Sequence, residues 1–127
     1  MAPLQDGAVP TALTLLRNLE DQMKVKISEL IGPALDWAVA SVTEMYVIVG
    51  GLVWVMDDPY QPSTNWSQGG PIIEREKLDL YRYAGYWGSN NPSGIGCEGP
   101  TPLIAAMRCF VASKLGDEVD VSEELLG

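Results

Sequence analysis

The spacing of apolar and polar residues changes along the 127-residue chain and divides it into segments. Between Leu35 and Val42 the apolar residues recur at helical spacing, which predicts a helix over 32–43 with Pro33 in its first turn. The period then shortens to β-branched and aromatic runs at 45–49 and 52–56, separated by Gly50-Gly51. Two glycines between such runs predict a tight hairpin over 45–56, because both turn positions need a positive φ.

The second half of the chain repeats this change of pattern. Residues 78–83 alternate, and Ala84-Gly85 turns them into 86–88, which predicts a second hairpin over 78–88. Residues 102–115 are apolar on nearly every side, with Thr101 as the expected N-cap and Gly116 at the end. A helix so uniformly apolar is expected in the core, against the sheet.

These segments predict an α+β fold with the order α-β-β-α-β-β-α. The two hairpins are expected to form one small antiparallel sheet, with the helices packed on it. Residues 89–99, rich in glycine and asparagine, are predicted to be a flexible loop. Residues 117–127 carry five of the seventeen acidic residues and are predicted to be a surface tail.

The first 22 residues differ in pattern from the rest of the chain, and two interpretations of them stand. Residues 11–22 have one short helical pattern, with Leu13, Leu16 and Leu19 on one side. Met23 then opens a sequence that resembles a natural start, so 1–22 would be an N-terminal extension to a single domain over 23–127. Alternatively, residues 11–22 are a first helix packed on the core.

The segment from Pro62 to Glu76 joins the two halves and holds most of the specific polar chemistry. Ser63, Thr64 and Asn65 are all suitable helix N-caps. Gly70-Pro71 then falls where regular helix should continue, and a proline there removes a hydrogen bond. We therefore expect a helix over about 64–77 that is kinked near Gly70.

Composition narrows the possible chemistry. Seventeen acidic against eight basic residues give a net charge of −9, which disfavours nucleic-acid binding and favours solubility. The absence of histidine removes the commonest general base and metal ligand. Cys97 and Cys109 lack zinc-site spacing, and without a secretory signal they are expected to be reduced thiols in a cytoplasmic protein. The apolar run at 47–56 is too short to span a membrane.

Three motifs in order carry a resemblance to a known family. They are Ile27-Ser-Glu-Leu-x-Gly with the following 34–40, then 62–76, then 99–119. Together they resemble the NinX-type proteins of tailed phages and prophages, over about residues 23–125. The chain is also distantly similar to a phage α-β-α sandwich domain, in which a Tyr-Ser-Thr-Asp run opens the central helix; Tyr60 and Ser63-Thr64 are the matching positions. The resemblance implies a phage origin and a fold, but no established activity.

The central segment is one candidate ligand site. A helix N-terminus followed by two glycines offers backbone N–H groups and room for an anion to approach closely. Two aromatic residues could stack a ring, and an arginine could pair with a phosphate. The candidate residues are Tyr60, Ser63, Thr64, Asn65, Trp66, Gln68, Gly69, Gly70 and Arg75. The competing interpretation is a capped helix whose residues do only structural work, and a P-loop is excluded because no Gly-Lys-Ser/Thr follows the glycines.

The second hairpin is the other candidate. It concentrates aromatic residues and one arginine, which are frequent anchors of protein interfaces: Tyr81, Arg82, Tyr83, Tyr86 and Trp87. Their competing role is to cover the core. No catalytic residue, metal site or cofactor is predicted, since Asp57-Asp58 and Glu74-x-Glu76 do not point their carboxylates together.

The leading hypothesis is therefore a non-catalytic phage accessory protein. It would bind a host or phage protein through 81–87 and 89–98, with self-association also open. The alternative is a small-ligand binder that uses Ser63–Gly70, for example to sequester a nucleotide signal of host defence.

Overall fold

The computed structural model describes residues 22–126. Residues 1–21 of the predicted extension over 1–22 lie outside the described residues. Within them the fold is α+β, as predicted, with three α-helices and eight strands in small antiparallel sheets. The helices are α1 (Gly32–Thr43), α2 (Trp66–Glu76) and α3 (Pro102–Leu115). The strands are β1 (Gln22–Lys26), β2 (Val47–Val49), β3 (Leu52–Val55), β4 (Asp58–Pro59), β5 (Asp79–Tyr83), β6 (Tyr86–Asn90), β7 (Gly96–Gly99) and β8 (Glu118–Ser122).

Helix α3 is the centre of the core. Every residue from Leu103 to Val111 is buried, and the helix packs against α1, α2 and the sheet formed by β5, β6 and β7. Thr101 Oγ1 accepts a hydrogen bond from the N–H of Ile104 at 3.1 Å, so the predicted cap is confirmed. The boundaries predicted for α1 and α3 are also confirmed, because an uninterrupted apolar pattern with end signals specifies both helices.

The two predicted hairpins are both present but lie in different sheets. Gly50 and Gly51, both at positive φ, connect β2 to β3, and β4 adds a third strand. The second hairpin pairs β5 with β6. The expected single sheet is wrong: β2-β3-β4 and β5-β6-β7 are separate three-stranded sheets, because each hairpin finds its third strand locally and packs on helices instead of on the other hairpin.

The expected flexible loop over 89–99 is also wrong. Ser89 and Asn90 continue β6, and Gly96–Gly99 forms β7, whose Cys97 pairs with Ser89. Glycine serves a purpose in this strand, because a Cβ at Gly99 would overlap the backbone of Ala105 in α3. Close packing of the sheet on α3 therefore selects residues that resemble a loop in the sequence.

The predicted acidic surface tail instead completes the domain. β8 pairs antiparallel with β1 along its whole length, from Gln22 opposite Ser122 to Lys26 opposite Glu118. Acidic residues occupy the exposed side of the strand, while Val121 and, beyond the strand, Leu125 are buried in the core. Charged and apolar residues alternate along β8, as expected for a half-buried strand. The high proportion of acidic residues led instead to the prediction of a surface tail.

The central segment forms one continuous helix, α2, and not the two pieces that a kink would separate. Asn65 is the N-cap, with its side-chain oxygen accepting from the N–H of Ser67 at 2.9 Å. Pro71 is accommodated because the preceding residue is Gly70, which has no Cβ to clash with the proline ring in a helical conformation. Lys77, at φ 56°, ends the helix in the left-handed conformation.

Candidate functional site

Ser63 is buried in the junction between α1 and the start of α2. Its backbone N–H donates to Asp36 Oδ1 at 2.8 Å, and Asp36 is itself buried within α1. Burial raises the pKa of Asp36 to about 6, while the facing Ser63 lowers it in part. Ser63 therefore anchors the chain to α1 and does not face a ligand.

The polar groups around the start of α2 are used by the chain itself. Asn65 Oδ1 accepts from both the backbone and the hydroxyl of Ser67. Gln68 accepts from the N–H of Gln61 at 2.6 Å and donates to the carbonyl of Pro59 at 2.9 Å. Thr64 is exposed next to this network. The helix N-terminus is thus closed by its own side chains.

The two glycines of α2 have different environments. A Cβ on Gly69 would overlap the carbonyl of Pro62 and the side chain of Leu103, so the close approach here is made by the protein's own chain. A Cβ on Gly70 would meet nothing within 4 Å. The space expected for an anion at these glycines is therefore either filled or fully open to the surface.

The remaining candidates of this segment point in different directions. Tyr60 is buried, with its hydroxyl 3.4 Å from that of Thr43, whereas Trp66 is 53% exposed. Arg75 lies nine residues beyond Trp66, or about 13 Å along the helix. There it binds Glu76 at 2.9 Å and lies over the ring of Phe110. The structure thus does not bring Arg75 together with Ser63, Thr64 and Asn65.

The second hairpin brings its three tyrosines together on one face of the sheet. Because directly paired residues share a face, the outer face of the β5-β6-β7 sheet carries Tyr81 opposite Gly88 and Tyr83 opposite Tyr86. Tyr83 and Tyr86 stack with centroids 4.7 Å apart, and Tyr81 meets Tyr83 edge-on at 6.0 Å. We call Tyr81, Tyr83 and Tyr86 the tyrosine face.

Gly88 makes this arrangement possible. A Cβ there would lie 2.8 Å from Tyr83 and 3.1 Å from Tyr81, so the two rings lean over the glycine. The other two candidates, Arg82 and Trp87, pair with each other and lie on the opposite side of the sheet, which faces α3. The five candidates, which lie within seven residues of sequence, therefore form two groups, and only the tyrosines share the outer face.

An open trough of about 680 Å³ runs beside the tyrosine face. Its lining includes the three tyrosines together with Gly88, Gly96 and Pro100. Arg108, which is not among the candidates predicted from the sequence, reaches this trough from the buried side of α3. A single arginine in an apolar helix was the available signal, but only the fold shows that its side chain contributes to the lining of this trough.

A second surface was also missed. The outward side of the β2-β3 hairpin carries Val47 opposite Trp54 and Val49 opposite Leu52, with Val47 and Val49 59% and 61% exposed. The sequence pattern predicted the hairpin correctly, but it contains no signal that one apolar side stays uncovered. Exposed apolar sheet surfaces of this kind are typical of interaction sites.

Metal binding, membrane insertion and thiol chemistry bear on what the protein can do. Among residues 22–126 no group of three potential ligands is arranged to hold a metal ion. In the same part of the chain no helix is long and apolar enough to cross a membrane. Cys97 and Cys109 are free thiols, and burial, with Cys109 nearby, raises the pKa of Cys97 to about 11.

The chain matches one family model over most of its length. That family is described as Bacteriophage P22, NinX, and the match covers residues 26–114, more than half of the chain. The matched region runs from the end of β1 to the last turn of α3, and so includes the tyrosine face and Arg108. No curated protein matches the chain.

Proposed function

The chain belongs to the bacteriophage P22 NinX family, and we propose that it is a non-catalytic phage accessory protein that binds a host or phage protein in the bacterial cytoplasm. The observation that supports this proposal best is the tyrosine face. Tyr83 and Tyr86 are 45% and 38% exposed although they belong to a sheet that has a buried side available. Tyrosine is enriched where protein interfaces have their strongest contacts.

The geometry of these tyrosines suits binding. The Tyr83–Tyr86 stack and the edge contact of Tyr81 hold the rings in place before a partner arrives. Fewer side-chain rotations are then lost on association, which lowers its entropic cost. Within residues 22–126 their hydroxyls have no hydrogen-bond partner, so they can donate to and accept from a bound protein.

A non-catalytic role is supported by the residue types present and by the environment of the buried carboxylate. The chain contains no histidine. Burial raises the pKa of Asp36, and its carboxylate accepts a hydrogen bond from the Ser63 N–H inside the protein. A general base must instead lie within reach of a substrate proton.

The alternative of a nucleotide-binding site at Ser63–Gly70 has less support. Ser63 is buried and Asn65 forms the cap of α2. The space beside Gly69 is filled by a neighbouring side chain and backbone. A ligand would have to displace hydrogen bonds that the chain already makes. Protein binding requires no such rearrangement.

The test compares two double variants as baits. Tyr83→Ser with Tyr86→Ser removes the stacked pair, and Val47→Ser with Val49→Ser makes a matched change on the apolar hairpin. A partner identified with the wild-type protein should bind the tyrosine variant at least about tenfold more weakly, because aromatic anchors contribute a large share of interface binding energy. It should bind the valine variant normally.

Two results would contradict this proposal. If both variants bind the partner like the wild type, neither surface is the interface. If only the valine variant loses the partner, binding occurs through the β2-β3 hairpin and the tyrosine face has another role. Circular dichroism of both variants first establishes that they are folded.

A further inference from the structure

Arg108 is a buried cation that has no carboxylate partner among residues 22–126. Arg108 is only 9% exposed. No carboxylate oxygen of the described residues lies within ion-pair distance of its guanidinium. Burial lowers the pKa of its guanidinium, as expected for a charge removed from water. Such a charge is costly unless it is compensated.

Two backbone carbonyls hold the guanidinium in a fixed position. Nε donates to the carbonyl of Leu30 at 2.8 Å, and Nη1 donates to the carbonyl of Glu98 at 2.7 Å. Arginine has five N–H donors, so further donors have no acceptor within the described part of the chain. Carbonyls orient the group but do not neutralise it.

The guanidinium contributes to the lining of the trough next to the tyrosine face. The other lining residues are nearly all uncharged, and the one carboxylate among them belongs to Glu98, which is exposed. Glu98 pairs with Gly88, so its side chain lies on the same outer face as Tyr81, with only the glycine between them. The trough is thus lined by one positive group, three aromatic rings and one carboxylate.

We propose that this trough is a binding site for an oxyanion, a carboxylate or a phosphate, carried on a flat aromatic group. The oxyanion accepts from the unoccupied donors of Arg108, whose planar fork matches both anions. The aromatic group packs against the tyrosine face. The site does not depend on the protein-binding function proposed above, since the same chemistry can come from a free molecule or from a partner's residue.

The net charge of −9 does not rule out this site. At physiological ionic strength charges beyond about 8 Å are largely screened. The charges that decide binding are therefore the nearest ones: Arg108 and Glu98, which line the trough, and Asp79, whose charge acts on Tyr81. Glu98 is the competing negative charge, and its side chain is not needed for the fold, because Arg108 is held by its backbone carbonyl.

The experiment titrates the full ¹⁵N-labelled chain at about 0.15 M salt, where distant charges are screened, and follows the Nε–H resonance of Arg108. Phenyl phosphate and N-acetylphenylalanine supply the two oxyanions on an aromatic group, and the second also mimics a protein C-terminus. N-acetylphenylalaninamide, which lacks the oxyanion, and benzylamine, which carries a positive charge, are the controls. Of the two anions, the tighter binder identifies the natural source as phosphate or carboxylate.

At least one anion should shift the Arg108 resonance saturably, and both controls should bind at least about tenfold more weakly. Glu98→Gln should tighten anion binding about two- to fivefold by removing the nearby like charge, without changing binding of the amide. The proposal is overturned if no anion gives a saturable shift up to about 10 mM. It is equally overturned if benzylamine or the amide binds as well as the anions, or if Glu98→Gln leaves anion affinity unchanged.

Discussion

Asp36 Oδ1 accepts a 2.8 Å hydrogen bond from the backbone N–H of Ser63, 27 residues further along the chain. This bond ties α1 to the segment that enters α2 and places a carboxylate in the core. A charged group there is tolerated only because it has a partner. The connection therefore makes stability sensitive to pH.

The raised pKa of Asp36 fixes the direction of that dependence. The folded protein holds the proton up to about pH 6, whereas the unfolded chain releases it near the ordinary aspartate pKa of 3.8. The stabilisation is therefore fully present below pH 3.8 and is lost as the pH rises to about 6. A shift of about two units corresponds to about 3 kcal/mol of unfolding free energy.

We predict that Asp36→Asn removes this pH dependence. Asparagine keeps an oxygen that can accept from Ser63 but cannot become charged. Urea unfolding at several pH values between about 4 and 7 should show a loss of stability in the wild type that is much smaller in the variant. Asp79→Asn, at an exposed carboxylate, is the control. Identical pH profiles for the wild type and Asp36→Asn would refute the assignment.

The neighbouring glycines of α2 give a second prediction. Gly69→Ala should cost about 1–3 kcal/mol of unfolding free energy, because its Cβ would overlap Pro62 and Leu103 in a packed core. Gly70→Ala faces open space, and its gain in helix propensity is offset by a clash with Pro71, so its effect should remain below about 1 kcal/mol. Thermal and urea melts of the pair measure the difference. Equal stabilities would mean that the two positions are wrongly placed.

Local signals in the sequence predicted the helices and hairpins well. α1 and α3 have periodic apolar positions with proline, threonine or glycine at their ends, and the Gly50-Gly51 turn is determined by backbone conformation alone. What could not be predicted was long-range pairing. β8 joins β1 from far along the chain, and β7 contains Gly99, which is selected by the closeness of α3.

The candidate sites show the same contrast between local features, which were predicted, and long-range contacts, which were not. The members of the tyrosine face could be predicted as candidates because they are close in the sequence. Strand alternation also assigns Tyr81 and Tyr83 to one face. Arg108 could not be added to them, since it comes from α3 and reaches the trough only through tertiary packing. At Ser63–Gly70 the residue types favoured a ligand site. The backbone N–H of Ser63 and the side chain of Gln68 are nevertheless hydrogen-bonded within the chain, to Asp36 and Gln61, which the sequence did not place beside them.

The role of β8 gives a third prediction. Val121 is buried and its neighbour Asp120 is exposed, so adjacent substitutions on the strand should have very different effects. Val121→Asp should cost several kcal/mol and unfold much of the protein, because it buries an unpaired charge. Asp120→Ser removes only an exposed ion pair with Lys24 and should change stability by less than about 0.5 kcal/mol. Circular dichroism melts distinguish the two, and a cooperatively folded Val121→Asp protein would show that residues 117–126 are a dispensable tail.

The last prediction concerns thiol reactivity. Because the pKa of Cys97 is about 11, and that of Cys109 is also raised by burial, very little thiolate is present at about pH 8. Alkylation by iodoacetamide should therefore be slow in the folded protein and rise as the pH approaches 11, while urea should make both cysteines react quickly. Mass spectrometry of the time course counts the modified thiols, and Cys97→Ser identifies the site. Rapid labelling of Cys97 in the folded protein at about pH 8 would show that its surroundings stabilise the thiolate, contrary to the effect expected from its burial.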